Sequence, residues 1–137
     1  MGYRSEVAVR VIGDAKKVAA LRDTMLLKYR NSHDSGDLWL TQGLFNAGEG
    51  DDNLCAEHRV NMDGTEEYLS EFHDIKWYTE CQNWYDTLKQ LAESVGVSVE
   101  LIRAGEESGD VEHDYSDNID DYGGTILSTS TKIEVFR

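Results

Sequence analysis

Residues 68–101 read as a strand, a helix and a second strand in immediate succession, and this triplet restricts the fold more than any other feature of the chain. "YLSEFHDIKWY" alternates, with Leu69, Glu71, His73, Ile75 and Trp77 on one face and Tyr68, Phe72, Lys76 and Tyr78 on the other. That is the pattern of a strand covered fully on one side and partly on the second. Thr79 and Gln82, three residues apart, form a capping box, and "ECQNWYDTLKQLAESV" then places Cys81, Trp84, Tyr85, Leu88, Leu91, Ala92 and Val95 on one side of a helix that Gly96 terminates. In "VSVELIRAG", Val97, Val99 and Leu101 face one way. A helix with a single apolar stripe between two alternating strands has to lie against the sheet that those strands help to build.

The N-terminal part repeats the theme. "SEVAVRVIG" sets Val7, Val9 and Val11 against Ala8, Arg10 and Ile12 at period two, with Gly13 closing the strand. Asp14 stands at an N-cap position, and Val18, Leu21, Met25 and Leu26 share one face of a helix ending near Asn31. Residues 31–66 alternate turn-rich segments ("NSHDSG", "NAGEGDDN", "NMDG") with short apolar ones ("DLWLTQGLF", "LCAEHRV"), which predicts two weak strands or one hairpin. At the C-terminal end, "TILSTSTKIEVF" alternates again and predicts a last strand, paired in a hairpin with the strand near residues 97–104. The expected fold is a single α+β domain over 1–137, an antiparallel or mixed sheet with two helices packed on one face in a ferredoxin-like arrangement.

Charge is distributed unevenly over this frame. The chain has 13 basic and 27 acidic residues, a formal net charge of -14, and residues 1–48 hold seven basic against five acidic side chains while residues 49–137 hold six against 22. Within "GEESGDVEHDYSDNIDDYGG", residues 105–124, eight carboxylates stand without a lysine or arginine. Such a field repels phosphates, so direct nucleic-acid binding is disfavoured, and it attracts a basic protein surface. The run is expected at the surface as the connection of the C-terminal hairpin, with Gly105, Gly109, Gly123 and Gly124 as its hinges. Cys55 and Cys81 lack the dense spacing of a disulfide scaffold, no apolar run reaches membrane-spanning length, and "MGYRSEVAVRVIG" has no continuous apolar core of a signal peptide. The expectation is a cytoplasmic protein with free thiols.

Three blocks, "MGYRSEVAVRV", "HDIKWY" and "ELIRAGEE", occur in this order and together resemble a family of small bacteriophage-encoded proteins that begin "MGYRS" followed by Asp or Glu and Val. The resemblance spans about half of the chain and implies a phage origin; the family carries little known chemistry. Residues 31–66 look expanded relative to its shorter members.

Several constellations could carry chemistry. Cys55, His58, His73 and Cys81 are ligand types that suit tetrahedral zinc, although Cys81 belongs to an apolar helix face. Asp114, Ser116 and Asn118 alternate as in a calcium loop, but Ile119 stands where an EF-hand requires glycine and Thr125 where it requires a bidentate glutamate. Asp63 with the triplet Asp74-Ile75-Lys76 has the spacing of a metal-dependent nuclease of restriction-enzyme type. No nucleophile elbow or phosphate-cradling glycine loop is present in the sequence. Trp77, Tyr78, Trp84 and Tyr85 read as core, while Trp39 and Phe45 read as exposed anchors for a partner.

The sequence therefore ranks a non-enzymatic acidic binding protein first, without metal or cofactor. It would inhibit a host defence or nucleic-acid-handling factor in the host cytoplasm by presenting carboxylates where phosphates normally bind. Its expected contact residues are Glu106, Glu107, Asp110, Glu112, Asp114, Asp117, Asp120 and Asp121, with Glu49, Asp51 and Asp52 from the expanded region, and a homodimer is a further arrangement to test. A small divalent-ion enzyme built on Asp63, Asp74 and Lys76, and a virion or housekeeping component, are the alternatives.

Overall fold

The valine alternation of the first strand places it in the middle of the molecule. In the computed structural model, which describes residues 4–30, 35–45, 54–77, 79–107 and 109–127, β1 (Ser5–Asp14) is hydrogen-bonded on one side to β3 (Thr65–Ile75) and on the other to β4 (Ser98–Gly105). β2 (Leu54–Val60) and β5 (Val111–Tyr115) flank them, giving an antiparallel sheet of order β2-β3-β1-β4-β5. Among the described residues the sheet is joined by the helices α1 (Ala15–Tyr29), α2 (Ser35–Leu44) and α3 (Thr79–Val95). The first four strands with α1 and α3 follow the ferredoxin-like order, so the α+β expectation holds.

One face of the sheet carries the helices. Val7, Val9 and Val11 meet Tyr68 and Phe72 of β3 and Val99 and Leu101 of β4, and the helices add Val18, Leu21 and Met25, then Leu40 and Leu44, then Trp84, Tyr85 and Leu88, all buried. Asp14 caps α1 as expected, its carboxylate accepting from the backbone N–H groups of Lys16 and Lys17. Gly96, at φ +80°, closes α3, with Val97 N–H returning to Ala92 O at 2.9 Å. Gln82 makes a different bond from the expected reciprocal cap: its side-chain oxygen accepts the Trp77 indole N–H and its amide donates to Asp86.

α2 corrects the reading of 31–66 as strands alone. "DLWLTQGL" alternates over too short a length to reveal its periodicity, and its helical form is held from outside. Ser70 of β3 donates to the carbonyls of Gly43 and Leu44 at the helix end, and Trp84 of α3 donates to Thr41 Oγ1 at 2.9 Å. The expected strands of this region appear only as β2 and the start of β3. Trp39 and Phe45 are not exposed anchors; Phe45 meets Tyr68 edge-on at 5.1 Å and Trp39 tilts against Phe72 at 5.3 Å.

β3 contains a bulge that overturns part of its predicted facing. Val7 pairs with Phe72 but Ser5 pairs with Ile75, so β3 spends one extra residue there, and Asp74 takes φ +54°. The alternation shifts by one residue. Ile75 and Trp77 consequently pack on the helix-side core, not beside Leu69 and Glu71.

The opposite face of the sheet, away from the helices α1, α2 and α3, is largely closed as well. Ala8, Leu69 and Ile102 form a second apolar cluster with Leu127, and Arg10, Glu67, Glu71 and Glu100 are buried around it. The segment that covers them follows a short 3-10 helix, Ile119–Tyr122, and the Gly123–Gly124 pair at φ +93° and +80°.

Candidate functional site

The acidic run is no simple hairpin connection. Residues 111–115 form an edge strand on β4, Ser116 and Ile119 are buried, and the 3-10 helix docks on the end of α3, where Gly96 O accepts from Tyr122 Oη at 3.0 Å and Asn118 Nδ2 at 3.3 Å. The predicted hairpin with a strand over 125–136 is corrected as far as Leu127: residues 125–127 are not a strand. Residues 128–137 lie outside the described residues.

The eight carboxylates divide by use. Arg103 of β4, itself buried, binds Asp110 at 2.8 Å and Glu112 at 2.7 Å, and the Asp110 bond foremost holds its guanidinium above its ordinary pKa. Asp114 accepts from Tyr85 Oη at 2.8 Å and pairs with Lys89 at 3.0 Å; burial, then this bond, pushes the Tyr85 phenol far above its ordinary pKa. Glu106 accepts the Arg4 backbone N–H, and Glu107 is exposed beside it. Asp117, Asp120 and Asp121 are exposed, with no cation in ion-pair reach among the described residues. The structure thus gathers Asp110, Glu112, Asp114, Asp117, Asp120 and Asp121 along β5 and the 3-10 helix, with Glu106 and Glu107 before them. Glu49, Asp51 and Asp52 lie outside the described residues.

A second charge system, on the covered sheet face, escaped the sequence reading. Glu100, fully buried, accepts from Arg10 at 3.4 Å and from the backbone N–H groups of Ile126 and Leu127 at 3.1 and 3.2 Å, and His113 Nε2 lies 2.7 Å from it. Arg10 is also bonded to Glu67 and donates to Gly124 O at 3.2 Å. Arg59 of β2 reaches Glu67 at 3.5 Å and Glu57 at 2.9 Å, the latter chiefly raising its pKa. His73 lies between Glu6 at 2.8 Å and Glu71 at 3.2 Å. A signal for this system was present: charged residues on the second face of three strands otherwise rich in aliphatic residues. Through Arg10 and Glu100 it holds the chain segment 124–127 against the sheet.

The metal readings do not assemble. Asp63 sits in the turn before β3, accepting from Thr65 N–H and Oγ1, which lowers its pKa, whereas Asp74 and Lys76 lie at the far end of that strand. At about 3.3 Å per residue the separation is on the order of 30 Å, too far to share an ion. Asp74 instead borders a cleft of about 230 Å³ with Arg4, Glu6 and Glu106. His58 stacks on Tyr68 on the helix side, while His73 projects from the other face, so no zinc set forms from them. Ser116 and Asn118 are spent on Val99 N–H and on Ser98 Oγ, away from Asp114. Among the described residues no group of three or more His, Cys, Asp or Glu is placed to hold a metal ion. No helix among them is long and apolar enough to cross a membrane.

Comparison with protein-family models finds no match for this chain, and no curated protein matches it.

Proposed function

We propose that this protein is an acidic binding protein whose β5 side engages a basic surface on another protein. One observation carries the reading. The described cations that form ion pairs with the acidic run, Lys89 and Arg103, are committed to Asp114, Asp110 and Glu112, so Asp117, Asp120 and Asp121 project negative charge that no described cation pairs with. Uncompensated surface charge of one sign contributes little to stability and much to association rate and partner choice. The sequence resemblance to phage proteins supports a host factor as partner. A basic surface on such a factor is most often one that handles nucleic acid, as in restriction or CRISPR systems, and occupying it would inhibit that factor in the host cytoplasm.

The test is capture of partners from bacterial lysate by the full chain and by the variant Asp117→Asn/Asp120→Asn/Asp121→Asn. The expected result is a basic protein retained at low salt by the parent chain only and released near 1 M salt, where the screening length is about 3 Å. Equal retention of one protein by parent and variant at both salt concentrations refutes the electrostatic reading. Because the three side chains are exposed, the variant's melting temperature should match the parent's.

A further inference from the structure

Among the described residues, the outer edge of β5 is open. In the antiparallel pairing with β4, Gly105 N–H bonds to Asp110 O and Ser116 N–H to Val99 O, so every second residue between them faces β4 and the backbone groups of Val111, His113 and Tyr115 face outward. Val111 N–H is taken locally by Gly109 O. Among the described residues, the N–H and C=O of His113 and Tyr115 have no partner, and no strand lies beyond β5. An edge of this kind is a template for one more strand.

The side chains along the edge state what that strand should carry. On the helix side, Glu112 and Asp114 alternate, their side chains 53% and 46% exposed in spite of their ion pairs. On the other side stand Val111, His113 and Tyr115, of which Val111 and Tyr115 are among the exposed large apolar residues at 47% and 48%. His113 and Tyr115 meet edge-on at 5.6 Å, forming a small aromatic step. A second copy of this chain fits poorly: an antiparallel β5 pair centred on His113 sets Glu112 opposite Asp114, and one centred on Asp114 sets that residue against itself. Like charges directly opposite one another destabilise a pair.

We infer that β5 accepts an extended segment of a partner protein in which basic residues alternate with apolar ones, added as a sixth strand. The basic side chains lie opposite Glu112 and Asp114, and the apolar ones rest on Val111, His113 and Tyr115. This rests on the proposal that the acidic side binds a basic partner, and it specifies how: main-chain pairing supplies the affinity and the two side-chain rows supply the selection.

The probe is a synthetic seven-residue peptide of alternating lysine and valine, titrated into the isotopically labelled full chain, beside the same peptide N-methylated at its valines and one with glutamate for lysine. In the added strand the valines share a face with His113 and Tyr115 and therefore make the backbone bonds, so N-methylation deletes those bonds and keeps every charge. The expected result is that the His113 and Tyr115 amides shift and gain protection from exchange, that N-methylation weakens binding about tenfold or more, and that the glutamate peptide does not bind. Equal affinity of the methylated and unmethylated peptides, with the His113 and Tyr115 amides unmoved, overturns strand addition while leaving the electrostatic reading intact. Failure of the unmethylated lysine peptide to bind also overturns it, in which case the edge acids serve to repel other strands. Loss of salt-sensitive partner capture, by contrast, removes the underlying proposal.

Discussion

Replacing Glu100 by glutamine removes one charge and changes almost no volume, at a point where four donors converge on two oxygens. Arg10 and Ile126 N–H meet Oε1, while His113 and Leu127 N–H meet Oε2. Either orientation of the glutamine amide turns an NH2 group toward one backbone N–H that formerly had an acceptor. That orphaned donor costs about 1–3 kcal/mol. Arg10 keeps Glu67 but loses its second counter-charge in a fully buried setting, and breaking one side of a buried ion pair costs about 3–5 kcal/mol where no partner remains. The net loss expected for Glu100→Gln is therefore about 3–4 kcal/mol, a large share of the roughly 5–15 kcal/mol that holds a domain together. For a chain of this length it corresponds to a fall in Tm of about 10–15 °C. Urea unfolding should show a lower midpoint at unchanged slope, and native-state hydrogen exchange should show lost protection at Ile126 or Leu127. A loss below about 1 kcal/mol, or a larger one that leaves the exchange of both amides untouched, would refute the assignment of Glu100 as the anchor of this segment.

The remaining predictions concern the helix side. The folded-state pKa of Tyr85 lies above its unfolded value, so its contribution is complete below pH 10 and declines above it. Stability in denaturant melts should fall by about 1.4 kcal/mol per pH unit from about pH 10 upward, and Tyr85→Phe should flatten that decline while costing about 1 kcal/mol at pH 7. Thr41→Val keeps the shape of the side chain but leaves the buried Trp84 indole N–H without its acceptor, which should cost about 1–3 kcal/mol in the same melts; a neutral effect would mean that α2 is not pinned to α3 through this bond.

What could be read from the sequence followed from local periodicity. β1, α1, α3 and β4 each carry a repeat long enough to show its own geometry, and the caps at Asp14 and Gly96 mark where two of them turn. α2 is legible only from Ser70 and Trp84, which are distant in sequence and come into place on folding. β5 is a strand because Arg103, Lys89 and Tyr85 absorb its carboxylates; by itself "VEHDY" reads as part of a solvated acidic loop. The facing of Ile75 failed on a single backbone angle, the φ of Asp74. For the candidate site, the sequence located the acids but not their division into those bound internally and those left exposed, because that division depends on cations contributed by other elements.

The order of the sheet also governs how the chain can reach it. β1 is the first strand in sequence and the central one in space; Val9 lies between Ser70 and Leu101, each contributed by a much later part of the chain. During synthesis the N-terminal strand and α1 therefore emerge with their apolar faces uncovered, and neither neighbour of β1 exists until β3 and then β4 have left the ribosome. Such long-range pairing slows folding, because loop closure must precede the contacts that reward it. The valine-rich β1 therefore stays uncovered until β3 and β4 are made, and its burial is a late and collective event.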